Sequence, residues 1–140
     1  MDKNNILALI SVIRDKANKF LIYEMSMRGI EGLAPSHGSI FAALFMESKL
    51  TMKDLSQRIK KDKSTVTVLV DKLVKLGYVE KTRDLIDTRV VYVTLTERGK
   101  ELRPELQEIS HKLISKVYKD ISEEEQELVV SILSKIKNNF

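Results

Sequence analysis

The chain has 140 residues, 43% of them hydrophobic and 31% charged, enough for one folded domain with its own core. Its longest unbroken apolar run, Ile40 to Met46, falls far short of the ~18–20 residues of a membrane-spanning helix. The absence of cysteine excludes disulfides, thiolate metal sites and catalytic or redox-sensing thiols. The net charge of +4 is unevenly placed: it sums to zero over residues 1–48, +5 over 49–98 and −1 over 99–140. The excess gathers around Arg58, Lys60, Lys61 and Lys63, and a local basic surface of this kind concentrates polyanions such as double-stranded DNA; a solvated charged face reads the same from charge alone. No signal-peptide pattern opens the chain, so a cytoplasmic protein without membrane contact is expected. His37 and His111 are too far apart in sequence for a ligand pair, and no metal or other cofactor is expected.

In chain order, Ile6, Ile10, Ile13, Ala17 and Phe20 recur at spacings of three and four, widened by Leu7, Leu9 and Leu21. They predict a helix over roughly 4–28 with a long apolar seam. A helix of this kind at a terminus has little local core to cover it and suits packing on a partner chain. Gly29 and Gly32 break the pattern. A second helix follows from Pro35 to Glu47, with Pro35 in its first turn, Ser36 supplying a capping oxygen, and Ile40, Phe41, Leu44 and Phe45 as the buried face. After a short extended piece at Lys49-Leu50, Thr51 and Asp54 read as a capping box for a helix over 52–60 that buries Leu55 and Ile59. Asp62 reads as the N-cap of a further helix from Lys63 to Leu76, ended by Gly77. Two short helices joined by Lys60-Lys61-Asp62 have the layout of a helix-turn-helix, although the turn lacks its usual glycine.

The period then turns extended. Tyr78 to Arg83 and Thr88 to Leu95 predict a β-hairpin across the linker Asp84-Leu85-Ile86-Asp87, with Val91, Val93 and Leu95 on one face. Thr96 caps a helix over about 97–119, which Pro104 should kink or whose first turn it should end. Ser122 and Glu125 form a capping box for a last helix over 123–138. Ile114, Val117, Tyr118, Ile121, Leu128, Val129, Ile132, Leu133 and Ile136 give this pair an apolar side. The expected fold is mainly α with a small β-hairpin wing: a winged helix-turn-helix held between terminal helices.

At 100° per residue, the helix from Lys63 to Leu76 sorts into two faces. Val66, Leu69, Val70, Leu73 and Val74 form the core side. Ser64, Thr65, Val68, Asp71, Lys72 and Lys75 point away, with Lys63 and Thr67 at the flanks. An exposed valine among hydroxyls and a lysine, one turn from a helix N-terminus, suits a recognition helix: an apolar group can meet a thymine methyl, and Ser and Thr can bond several bases. An ordinary solvated helix face remains the alternative. In the wing, Asp87 and Arg89 lie two apart at a strand start and should project to one side. A carboxylate there can hold a guanidinium extended toward a narrow minor groove, or the two can simply form an ion pair that closes the hairpin.

The run Asp87-Thr88-Arg89-Val90-Val91-Tyr92-Val93-Thr94-Leu95-Thr96-Glu97-Arg98-Gly99 resembles the wing signature of the multiple-antibiotic-resistance regulator (MarR) family of transcription factors. Ser64-Thr65-Val66-Thr67 and Leu73-Val74-Lys75-Leu76-Gly77-Tyr78-Val79 resemble its recognition helix and exit, and Leu33-Ala34-Pro35-Ser36 the start of its second helix. The resemblance covers essentially the whole chain as one domain. It implies a homodimer built from residues 1–30 and 99–140, with a DNA-binding lobe over 33–98 on a pseudo-palindromic site. It further implies repression relieved by a small aromatic or phenolic effector. By position, Lys63, Ser64, Thr65, Thr67 and Val68 would face the major groove and Arg89 the minor groove, steadied by Asp87. Ser36, Lys72 and Arg83 would touch phosphates. Leu85-Ile86 departs from a wing tip that is usually polar or proline-containing.

Two other readings carry less. Ser36, His37 and Ser39 are adjacent, but at a helix start they point apart and have no orienting acid, so an enzyme is not expected. A winged helix used only for protein–protein contact would need neither the Lys63 flank nor the Asp87–Arg89 wing. Tyr23, His37 and Phe41 are candidate lining for an effector pocket, and a core cluster fits them equally.

Overall fold

A computed structural model describes residues 2–140. A 3-10 turn, Lys3–Asn5, leads into α1 (Ile6–Met27), followed by α2 (Pro35–Met46), β1 (Lys49–Thr51), α3 (Met52–Ile59), α4 (Lys63–Lys75), β2 (Val79–Arg83) and β3 (Val91–Leu95). A single turn, α5 (Glu97–Glu101), then precedes α6 (Arg103–Val117) and α7 (Glu123–Asn138). The fold is mainly helical with a small antiparallel wing.

Local chemistry sets most boundaries. Thr51 Oγ1 accepts from the Asp54 N–H at 3.0 Å and Asp54 Oδ2 accepts from the Thr51 N–H at 3.4 Å, closing the expected capping box of α3. Ser122 and Glu125 do the same for α7 at 3.2 and 3.0 Å. The expected helix over 97–119 is broken at Leu102, so α6 starts afresh with Pro104 in its first turn, where a missing N–H costs nothing. Ser36 does not cap α2. The N-cap is Ala34, and the acceptor comes from the third helical residue: His37 Nδ1 takes the Ala34 N–H at 2.8 Å.

The sheet has three strands rather than two. Lys49–Thr51 pairs with the far edge of β3, giving the order β1-β3-β2 with Leu50 opposite Val93 and Lys81 opposite Val93 on the other side. Central Val93 is therefore fully buried. The hairpin is shorter and its loop longer than expected: Thr88, Arg89 and Val90 belong to the loop over residues 84–90, not to β3.

The core is that of the central lobe. Ile40, Phe41, Leu44, Leu55, Val66, Val70, Leu73 and Val79 are almost wholly enclosed, and Phe41 meets the Tyr78 ring edge-on at 5.7 Å between centroids. Val74, expected in this core, is 39% exposed, because the α4 face that packs is centred on Val66, Val70 and Leu73. Two contacts lock the exit of α4 onto the wing. Gly77 takes a positive φ of 83°, ending the helix, and its carbonyl accepts from Thr96 Oγ1 at 2.6 Å. Gly99 is buried where an added Cβ would lie 2.1 Å from the Tyr78 carbonyl oxygen, so only glycine lets α5 approach. The terminal helices add little: Met25 and Ile109 are the buried residues of α1 and α6, and α7 has none. Their exposed apolar side chains include Leu7, Ile13, Ile114, Leu128, Ile132 and Leu133.

Candidate nucleic-acid interface

The turn before α4 is built without glycine. Lys60 takes a left-handed φ of 55°, and the Ser56 hydroxyl donates to the Lys61 carbonyl at 2.6 Å, holding the chain through the reversal. Asp62 then caps α4, with Oδ1 accepting from the Thr65 N–H at 2.7 Å and the Ser64 hydroxyl at 2.9 Å. The bonds from Thr65, first through its backbone, and from Ser64 hold the Asp62 carboxyl below the usual carboxylate range.

The outer face of α4 carries Lys63, Ser64, Thr65 and Val68, the last 70% exposed, with Lys72 further along. Half-buried Thr67 donates its hydroxyl proton to the Lys63 carbonyl at 2.9 Å, which leaves its oxygen lone pairs and methyl on the flank. Asp71, the one acid in α4, is neutralised by Lys81 of β2 at 2.8 Å. What this face offers is cationic, hydroxylic and apolar.

Asp87 and Arg89 pair, though not as strand neighbours. Asp87 Oδ1 accepts from the Arg89 N–H at 3.1 Å and from its Nε at 3.0 Å, and Oδ2 accepts from Nη2 at 3.3 Å. The turn, rather than the pleat, brings them to one side. The Arg89 guanidinium holds the Asp87 carboxyl below its ordinary range, and the Arg89 side chain remains 90% exposed. Arg83, expected at phosphate, donates to the Thr88 carbonyl at 2.7 Å and braces the loop. Asp84 ties the tip: Oδ1 accepts from the Ile86 and Asp87 N–H groups at 2.8 and 3.1 Å, and Oδ2 from the Tyr92 hydroxyl at 3.2 Å.

Lys63 and Thr67 of α4 and Arg89 and Val90 of the wing line one groove of about 680 Å³. Its floor adds Lys53, Ser56 and Gln57 of α3, which the sequence reading did not single out. Their helix reads as an ordinary amphipathic segment, and only the packing of α3 beside the wing turns that face into the groove. Ser36 is half-buried in the first turn of α2.

The three candidate pocket residues do not share a cavity. Tyr23 is exposed on α1, whereas His37 and Phe41 are buried one turn apart in α2. His37 is 3% exposed with Nε2 unpartnered. Burial first, then the nearby Lys72 ammonium, push its pKa below the ordinary value, partly offset by the main chain of Ala34 and Leu69. A cavity of about 440 Å³ lies instead between α1, α2 and α6, with Leu21, Met25, Phe45, Leu106 and Leu113 as apolar walls. Ser39, Gln107, Ser110 and Arg103 add polar groups, and the Arg103 guanidinium sits 5.4 Å from the Phe45 ring centroid. Each apolar wall residue reads as helix periodicity on its own, so no local signal marks the cavity. Among the described residues no group of His, Asp and Glu is placed to hold a metal ion, and no helix is long and apolar enough to cross a membrane.

A helix-turn-helix whose second helix is backed by a pinned, three-stranded wing defines the winged-helix class of DNA-binding proteins. Residues 39–106 match the family model for transcriptional regulator SarA/Rot. The HTH-type transcriptional regulator SarZ of Staphylococcus haemolyticus is 38% identical over 102 residues, covering 72% of this chain and 68% of the relative. SarZ of Staphylococcus epidermidis is 34% identical over 109 residues, covering 78% and 73%. Among solved structures, a MarR protein from Peptoclostridium difficile superposes with TM-score 0.86 at 24% identity, covering 99% of this chain and 89% of that one. A mutant of E. coli MarR complexed with operator DNA gives 0.82 at 20% identity, covering 97% and 99%. Bordetella bronchiseptica BpsR, whose DNA binding is regulated by 6-hydroxynicotinic acid, also gives 0.82, at 18% identity and covering 95% and 98%. The chain belongs to the SarZ/SarA family of HTH-type transcriptional regulators and has the MarR fold. It is a DNA-binding transcriptional regulator and not an enzyme.

Proposed function

We propose that the chain acts as a homodimer that represses transcription from a pseudo-palindromic operator and leaves it when a small aromatic or phenolic molecule binds. The observation that carries the reading is the shared groove of α4 and the wing, in which Lys63 and Arg89 face one solvent space. A duplex laid there meets Ser64, Thr65 and Val68 in its major groove, Thr67 at the flank, and Arg89 in the adjoining minor groove with Asp87 fixing the guanidinium. Lys72 and the half-buried Ser36 would touch phosphate in this reading. Arg83 serves the same contact by bracing the loop.

Residues 33–98 form the DNA lobe in this reading, and 1–30 with 99–140 the dimer helices. The apolar faces of α1, α6 and α7 support a second copy, because much of their apolar surface stays exposed among the described residues and such area favours association at ~25 cal/mol per Å². The cavity between α1, α2 and α6 suits the effector. One side of α2 supplies Pro35, Gly38 and Ser39 to that cavity, while α2 also packs on α4. A ligand that shifts α2 therefore repositions the recognition helix. BpsR, with its aromatic regulator, supports that chemistry by likeness of fold.

Selection from random duplexes tests the reading. It should return an imperfect palindrome with half-site centres one helical turn, roughly 34 Å, apart. Affinity should fall steeply with salt. Recovery of no palindrome, or binding indifferent to ionic strength, refutes it and favours a protein–protein module.

A further inference from the structure

The wing tip carries two side chains that the DNA-binding reading does not use. Leu85 and Ile86 are 99% and 97% exposed. Single exposed apolar residues need no explanation, but two in succession at the end of a pinned loop do. The other exposed apolar side chains lie mostly on α1, α6 and α7, and this pair stands apart from them on the wing.

The tip is held from within. The Asp84 N–H donates to the Val90 carbonyl at 2.9 Å, and the Val90 N–H donates to the Asp87 carbonyl at 3.0 Å. Both acids are engaged within the hairpin: Asp84 accepts from Ile86, Asp87 and Tyr92, and Asp87 pairs with Arg89. Arg83 is tied to Thr88. The loop thus engages its carboxylates and its second guanidinium in internal bonds, and leaves two aliphatic side chains free on the same loop as the exposed Arg89.

We infer that Leu85 and Ile86 form an apolar wedge that enters the minor groove next to Arg89 and partly unstacks a base step, bending the operator at its flanks. The inference rests on the placement of Arg89 in the minor groove. A guanidinium supplies attraction to the negative groove, and Leu and Ile are among the side chains that insert between base steps and kink the duplex toward the major groove. Pinning matters because a loop already ordered does not lose that freedom on insertion. A dimer carries two wedges, one at each end of its site. The preferred flank is a pyrimidine–purine step, TA or CA/TG, which unstacks most cheaply.

The test compares the wild type with the double variant Leu85→Ser, Ile86→Ser on one selected operator. Both side chains lie in solvent, so the variant should melt at the wild-type temperature. Three readouts apply: binding affinity, bend by end-to-end energy transfer, and fluorescence of 2-aminopurine at the flanking step. The wild type should bend the duplex and brighten the probe. The variant should leave the probe dark and the duplex straighter, bind about tenfold more weakly, and lose its preference for pyrimidine–purine flanks. A variant that binds, bends and brightens the probe as the wild type does overturns the wedge while leaving operator binding intact. That same result is expected if the pair docks a protein or a lipid surface. Failure of the wild type to bind any duplex selectively would instead overturn the operator reading itself.

Discussion

His37 makes the stability of the DNA lobe depend on pH in a direction that can be worked out. Its Nδ1 accepts the Ala34 N–H at 2.8 Å, so the neutral ring carries its proton on Nε2, which is buried without a partner. A second proton on Nδ1 would face another N–H and break the cap of α2. Burial and then Lys72 also oppose the charge, so the folded pKa lies below the ordinary 6.5. As pH falls, the unfolded chain takes the proton first. The contribution is therefore intact above about pH 6.5 and is lost progressively below it, until the folded pKa is reached. One proton limits the slope to ~1.4 kcal/mol per pH unit. His37→Gln retains an acceptor at the third helical position and cannot titrate. Urea unfolding at fixed protomer concentration, at about pH 7.5 and 5.5, should show the wild type losing more stability than the variant, within the limit of ~1.4 kcal/mol per pH unit that one proton sets. His37→Ala, which loses both cap and packing, should cost about 2–4 kcal/mol at either pH. Equal losses in wild type and His37→Gln between the two pH values would refute the argument.

Gly99→Ala should destabilise by about 1–3 kcal/mol or more, because its Cβ would meet the Tyr78 carbonyl oxygen at 2.1 Å; chemical denaturation checks this. Arg89→Ala should weaken binding most at operators with A·T-rich flanks, and Asp87→Ala should reproduce part of that loss although it removes a negative charge. Tighter binding by Asp87→Ala on one operator at fixed salt would mean that Asp87 only repels phosphate. Lys72→Ala should lower affinity alike on all sequences and reduce the salt slope by about one. Leu133→Asp, on the exposed face of α7, should shift sedimentation toward a 16 kDa species, and an unchanged dimer would remove α7 from the interface.

Helix starts were legible wherever the signal was a local hydrogen bond. Thr51 with Asp54, Asp62, and Ser122 with Glu125 each announce a cap through residue type and spacing, and each makes the bond its type implies. Ser36 misled because the same chemistry was available one residue later, and the cap went to His37, whose ring is also wanted by the core. The third strand has three residues, too few for a period to show, and it forms because β3 offers an open edge beside α3. The cavity between α1, α2 and α6 draws walls from three helices distant in sequence, so its residues look like three separate core stripes.

In the wing, Asp87 and Arg89 pair by a geometry other than the strand alternation that predicts it. Alternation along a strand predicts that Asp87 and Arg89 share a side, but both lie in a loop where alternation does not apply. They meet because an aspartate accepts the N–H two residues ahead, forming a turn that also delivers the guanidinium to the same carboxylate. Spacing and chemistry survive that change of geometry, and the pleat does not. The Leu-Thr-x-x-Gly segment that follows is legible for the same reason. Thr96 satisfies the Gly99 N–H at 3.1 Å and the Gly77 carbonyl at once, and Gly99 has no Cβ to strike Tyr78. Both identities answer to backbone atoms within about twenty residues, so they persist in sequence where a cavity or a dimer face leaves only apolar periodicity.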